Sequence, residues 1–114
     1  MNESTPEVPN RGDIVWLSLD PQAGHEQAGR RPALVLSPAT YNGRVGLALV
    51  CPVTNRAKGY AFEVPLPIGL DITGVVLADQ VKCLDWRVRR SVWICDAPPD
   101  VVTEVLDRLG MLLK

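Results

Sequence analysis

Soft metal ligands are scarce in this sequence: one histidine, His25, and three cysteines, Cys51, Cys83 and Cys95, in 114 residues. The cysteine count is odd, no pair has CxxC spacing, and a four-ligand zinc site from one chain would consume all four groups. The thiols therefore read as buried side chains in a reducing compartment, with no disulfide framework and no structural metal. Long apolar runs are also missing. The longest, Val45 to Val53, contains Gly46 and Pro52 and falls far short of the ~20 residues that a bilayer needs. Met1–Asn10 has neither a basic region nor an apolar core of the secretory kind. No membrane, no cofactor and a cytoplasmic location are the expectations that follow.

Net charge is small too, at −1, while 46% of residues are hydrophobic and 22% are charged. Those values describe an ordinary globular chain, too apolar to stay disordered. The near-balance hides a segregation. Met1–Glu26 carries Glu3, Glu7, Asp13, Asp20 and Glu26 against Arg11. Gln27–Phe62 carries Arg30, Arg31, Arg44, Arg56 and Lys58 with no acid at all. Further on, the bases crowd at Lys82, Arg87, Arg89 and Arg90. Nine of the twelve basic residues are arginine, whose planar fork suits a phosphate better than a lysine point charge does. A basic stripe on a neutral domain fits a short single-stranded nucleic acid, and it fits a solvated face equally well.

Along the chain, Met1–Asn10 reads as a flexible tail and residues 11–114 as a single domain. Strand formers fill Asp13–Leu19, and Gln22–Arg31 follows as a long polar loop. Ala33–Ser37 is short and uniformly apolar, the mark of a strand buried on both faces. Asn42-Gly43 is a turn signal leading into a partner strand, Val45–Val53. Thr54–Tyr60 is a second polar loop, and Ala61–Leu66 alternates with Phe62, Val64 and Leu66 on one face. Val75–Ala78, Val81–Trp86 and Ser91–Cys95 are three more short strands. After Pro98-Pro99 the period changes, with Val101, Val102, Val105, Leu106, Leu109, Leu112 and Leu113 making a helical face. The pattern predicts a mainly β fold, a small, strongly bent barrel of six or seven short strands with a C-terminal α-helix. The three tryptophans read mostly as core.

Chemistry concentrates in the first loop. His25 and Glu26 can each take or give a proton, and Arg31, fixed by the following Pro32, can hold an anion at a strand mouth. The glycines at 24 and 29 mimic phosphate-loop spacing, but no Lys-Ser/Thr pair follows and the next segment is a strand, so that reading fails. Taken singly, these groups also fit a solvated loop, and Thr54 fits a turn cap. Asp79-Gln80 interrupts two apolar runs, where an acid needs a partner or water.

The combination is more telling. Arg11-Gly12-Asp13-Ile14-Val15-Trp16, Asp20-Pro21, Gly24-His25-Glu26-Gln27, Arg31-Pro32, Leu36-Ser37-Pro38, Pro52-Val53-Thr54, Lys58-Gly59-Tyr60 and Gly74-Val75-Val76-Leu77-Ala78-Asp79-Gln80-Val81-Lys82 stand in order along nearly the whole chain. In these blocks the chain resembles the MazF/PemK toxins of bacterial toxin–antitoxin systems. The resemblance implies an SH3-like barrel of the CcdB/PemK kind, a homodimer, and a metal-independent, sequence-selective endoribonuclease acting on single-stranded mRNA. PemK-type members are described with an arginine two positions before the Asp-Gln aspartate. Here that position is Leu77, so the chain follows the MazF-type pattern. The resemblance carries Arg31, Thr54 and Glu26 over as catalytic residues, with His25 and Asp79 in supporting places. Arg11, Gln27, Arg56, Lys58 and Gln80 are the candidates for holding RNA, partly by resemblance and partly from the basic stripe.

Without a metal, RNA is cut by its own 2′-hydroxyl, leaving a 2′,3′-cyclic phosphate and a 5′-hydroxyl. Arg31 would stabilise the charge building on the phosphate, Thr54 would donate a hydrogen bond to it, and Glu26 would act as base or position the reacting groups. Two rivals keep the barrel and change the target. One is a CcdB-like poison of DNA gyrase, against which the absence of a tryptophan after Trp93 counts. The other is a non-catalytic RNA-binding module. The resemblance also implies a cognate antitoxin. An acidic, disordered C-terminal tail would complement the positive surface near Arg56, Lys58 and Arg87.

Overall fold

A computed structural model of the chain describes residues 7–18 and 29–114. Among these residues, seven strands and two helices follow one another: β1 (Asp13–Ser18), β2 (Arg30–Val35), α1 (Ala39–Val45), β3 (Leu47–Thr54), β4 (Glu63–Pro65), β5 (Val75–Leu77), β6 (Lys82–Asp85), β7 (Val92–Asp96) and α2 (Pro99–Leu113). Every strand pairing is antiparallel. The pairing path runs β4-β5-β3-β2-β1-β7, with β6 added on β3.

β3 is the hub. Its first half pairs with β6, its middle (Val50–Pro52) with β2, and its last two residues, Val53 and Thr54, with β5. Because side chains alternate across a strand, β1, β2 and β3 each feed two cores. Ile14, Leu34 and Cys51 join Val64, Val76, Val101 and Val105 on one side. Val15, Leu17, Ala33, Val35 and Val50 pack on the other side beneath Trp86 and Leu84. The uniformly apolar run in β2 is therefore buried on both faces, as its composition predicts.

The mainly β class and the C-terminal helix stand; closure of the barrel does not. β4 and β7 end the pairing path and do not pair with each other among the described residues. Helix α2 instead runs from the end of β7 towards β4. It lays Val101 and Val105 into the first core, and Arg108 donates to the Ala61 carbonyl just ahead of β4. Packing of an amphipathic helix fills the place that a closing strand ladder would take.

Two local expectations are also corrected. Arg30 and Arg31 begin β2 and do not belong to the loop before it. Asn42-Gly43 is not a hairpin turn but lies inside α1. The reason is Asn42, which is fully buried. Its Nδ2 donates to the carbonyls of Pro9 (2.8 Å) and Ser37 (2.9 Å), and its Oδ1 accepts from the Ser37 hydroxyl at 2.6 Å. Its backbone carbonyl accepts from Trp86 Nε1 at 3.0 Å. A buried amide satisfied this fully outweighs a local turn preference. The same contacts tie down Pro9, and Asn10 Oδ1 accepts the Ala39 N–H at 2.8 Å, so the segment expected as a tail is anchored from Pro9 onward.

Candidate functional site

A cleft of about 680 Å³ opens where β1, β2 and β3 end together. Trp16 of β1, Arg30, Arg31 and Pro32 of β2, Val53 and Thr54 of β3, and Asn55, Arg56 and residues 71–73 of the loops line it. The register explains why these residues meet. Trp16 pairs with Pro32, Leu17 with Arg31 and Ser18 with Arg30. Across β2, Leu34 pairs with Cys51 and Ala33 with Pro52. Arg31 and Thr54 lie two residues beyond the Ala33–Pro52 pair, one on each strand, and both line the cleft. Arg31 and Thr54 thus meet in one cleft although 23 positions separate them in the sequence.

Among the described residues, the charges lining the cleft are Arg30, Arg31 and Arg56, against the single carboxylate of Asp71. Three guanidiniums about one open cleft make a site for an anion with several oxygens, because each fork offers paired N–H donors. Thr54 adds a neutral donor. The Arg56 N–H donates to Thr54 Oγ1 at 3.1 Å, so the hydroxyl caps the turn, as sequence alone suggests. That bond uses an oxygen lone pair and leaves the hydroxyl proton free to be donated into the cleft. The cap and the functional reading are compatible.

β5 approaches Thr54 closely. Thr54 pairs with Val75, and a Cβ on the preceding Gly74 would lie 2.4 Å from the Thr54 carbonyl oxygen. Thr73 Oγ1 donates to Asn55 Oδ1 at 3.0 Å, securing the next residue of the turn. Trp16, Arg30, Asp71, Thr73 and Gly74 were not singled out by sequence reasoning. Gly74 had no separate signal, since its role depends on how β5 meets β3.

A second, smaller groove of about 220 Å³ shares Thr54 and Arg56 with the cleft. Lys58, Tyr60, Glu63, Leu77 and Gln80 complete it, so Arg56, Lys58 and Gln80 of the expected binding set do converge. The Tyr60 hydroxyl donates to Asp79 Oδ1 at 2.9 Å. That bond and the nearby carboxylate charge raise the Tyr60 phenol above its usual pKa. Asp79 is thereby a partner of Tyr60 and lines neither groove. Arg11 stands apart as well, its Nε donating to the Leu36 carbonyl at 2.6 Å. Arg87 stacks on the Trp86 ring, 4.9 Å from the centroid, outside both grooves. His25, Glu26 and Gln27 lie outside the described residues.

Of the three cysteines, Cys51 and Cys95 are buried and Cys83 is exposed. Burial, with the Asp79 charge nearby, pushes the Cys51 thiol up to about 12. No helix among the described residues is long and apolar enough to cross a membrane.

Residues 10–113 match a family model described as PemK-like, MazF-like toxin of type II toxin-antitoxin system. The endoribonuclease toxin MazF of Escherichia coli (strain K12) is 43% identical over 106 residues, covering 93% of this chain and 95% of that protein. The crystal structure of MazF from Deinococcus radiodurans superposes with a TM-score of 0.86 at 62% identity, covering 94% of this chain and 97% of that one. A MazE–MazF crystal structure from the same organism gives 0.84 at 55% identity, covering 94% and 96%.

Proposed function

The chain belongs to the PemK-like, MazF-like toxins of type II toxin–antitoxin systems and is an endoribonuclease of that family, and we propose that it cuts single-stranded mRNA in the Arg31–Thr54 cleft. The observation that carries this reading is one cleft lined by both Arg31 and Thr54, with Arg30 and Arg56 beside them. An RNA phosphate placed there receives donors from two sides of its non-bridging oxygens.

The reaction is attack by the substrate's own 2′-hydroxyl. A base takes the 2′-proton, the O2′–P bond forms, the P–O5′ bond breaks, and an acid protonates the leaving 5′-oxygen. The products are a 2′,3′-cyclic phosphate and a 5′-hydroxyl, and no metal or other cofactor is required. Arg31 neutralises charge on the five-coordinate phosphorus, and the Thr54 hydroxyl donates to the same group. Glu26, carried over by the family resemblance, is the candidate base or positions the reacting groups, with His25 in a supporting place. Arg56, Lys58 and Gln80 hold the flanking strand along the smaller groove, and Gln27 joins them on the same resemblance. Asp79 supports this surface through Tyr60. The active species is a homodimer. Its partner is an antitoxin, as in the MazE–MazF relatives, and an acidic, disordered C-terminal tail of that partner complements the arginines of the cleft.

The test is incubation of the purified protein with a long transcript in excess EDTA, alongside the Arg31→Ala variant. Cleavage at a recurring sequence by the wild type, and its loss in the variant, is the expected result. Cleavage retained by a folded variant removes Arg31 from the site. Cleavage that stops on adding EDTA removes the metal-free route.

A further inference from the structure

We infer that Glu63 is a positioning residue for RNA binding: its buried carboxylate holds the Lys58–Tyr60 loop in the shape that presents Arg56 and Lys58 to the substrate. Glu63 opens β4 and is only 9% exposed, an uncommon place for a carboxylate unless its oxygens are satisfied. They are satisfied by backbone. The Lys58 N–H donates to Oε2 at 2.7 Å and the Gly59 N–H to Oε1 at 2.8 Å. Two consecutive amides thus face one carboxylate, and Gly59, with φ +80, turns the chain just beyond them, a left-handed step that glycine takes without strain. The Glu63 N–H returns a bond to the Tyr60 carbonyl at 3.1 Å, and the Tyr60 hydroxyl is tied to Asp79.

Residues 55–60 belong to no helix or strand, so these bonds restrain the Lys58–Tyr60 half of the loop, as the bonds of Asn55 to Thr73 and of Arg56 to Thr54 restrain its start. The loop forms a wall of the smaller groove and, through Arg56, a wall of the larger cleft. Ordering it in advance removes an entropic cost from binding without touching the reacting phosphate. The signature is a change in KM with kcat preserved.

This inference rests on the reading that Arg56 and Lys58 hold RNA, and the experiment separates the two. Amide hydrogen exchange and steady-state cleavage of a fluorogenic single-stranded RNA are measured for wild type, Glu63→Gln, Tyr60→Phe and the double variant Arg56→Ala/Lys58→Ala. In Glu63→Gln one carboxylate acceptor is lost. Exchange at Lys58 and Gly59 should rise while β2 and β3 stay protected. KM should increase about tenfold, the scale of one charge-assisted hydrogen bond, with kcat within about twofold. Tyr60→Phe alters a surface phenol and should raise KM about twofold, which keeps the test alive if Glu63→Gln does not fold. Faster exchange with unchanged KM overturns the role of Glu63, as does an unchanged KM in Tyr60→Phe should that variant stand alone. An unchanged KM in the double variant overturns the underlying reading of the loop instead.

Discussion

Gly74→Ala is the sharpest probe of how the fold sets the site. A methyl there would meet the Thr54 carbonyl oxygen at 2.4 Å, its carbon at 2.9 Å and Asn55 Oδ1 at 3.1 Å. Two of those neighbours are backbone and cannot rotate away. Gly74 also has φ +125, where an L side chain is strained by about 1–3 kcal/mol. Relieving the overlap costs a further ~1–3 kcal/mol if the strands must part. Together that is about 2–6 kcal/mol, a large share of the ~5–15 kcal/mol that holds a domain of this size together. The strain has two outlets, lower stability and movement of Thr54. For a chain of this length the first should lower Tm by about 10–20 °C. The second should lower the cleavage rate by up to about 10²-fold, the penalty of misplacing a catalytic group by an ångström. Gly110→Ala is the control. It lies in α2 with nothing within 4 Å of the added methyl, and should leave Tm unchanged or raise it slightly, since alanine favours helix. The assay is thermal unfolding plus cleavage of a defined RNA below both midpoints. A Gly74→Ala protein with wild-type Tm and wild-type rate would refute the close β3–β5 approach as the feature that sets Thr54.

Arg31→Ala should lose about 10²–10³ in rate with little change in Tm, because it removes an exposed donor to the phosphate and no core contact; Thr54→Val should lose less, and comparable rates to wild type in both would remove the pair from catalysis. Burial, chiefly, together with Asp96 raises the Asp13 pKa in the folded chain, so the native state binds that proton more tightly than the unfolded chain does. Its contribution to stability is therefore full below the ordinary carboxylate value of 3.8 and is lost as pH rises through the higher folded value. Asp13→Asn should raise Tm at pH 7 and give no gain at pH 3, which thermal scans at the two pH values decide. A thiol reagent at pH 7.5 should modify one cysteine quickly, the exposed Cys83, while Cys51 and Cys95 react only on unfolding; peptide mapping identifies the labelled site.

Periodicity made the strands and α2 legible because burial imposes it directly. The run in β2 could be read as buried on both faces since Leu34 serves one core and Ala33 and Val35 the other. Asn42-Gly43 misled because the interactions that decide it come from Pro9, Ser37 and Trp86, as far as 44 positions away. Trp93 misled in the opposite sense. It is 58% exposed, with Nε1 donating to Asp96 Oδ1 at 3.1 Å, and neither core includes it. At the site, Arg31 and Thr54 were legible through the family resemblance, since a basic residue and a hydroxyl in polar segments fit a solvated surface equally well. Their meeting in one cleft depends on how β2 and β3 lie together, which composition does not encode. The places of Gly74 and Glu63 depend on which strand lies beside β3 and how the loop before β4 closes, and neither is a local property of the chain.

Everything proposed for the Arg31–Thr54 cleft turns on attack by the RNA's own 2′-hydroxyl. The most direct test is mass spectrometry of both product ends after cleavage of a defined RNA in excess EDTA, with a second RNA carrying a single 2′-deoxy substitution on the 5′ side of the cut. The mechanism predicts a 2′,3′-cyclic phosphate and a 5′-hydroxyl from the first RNA and an intact second one. A 5′-phosphate product, or cleavage of the deoxy-substituted RNA at the same bond, would contradict it.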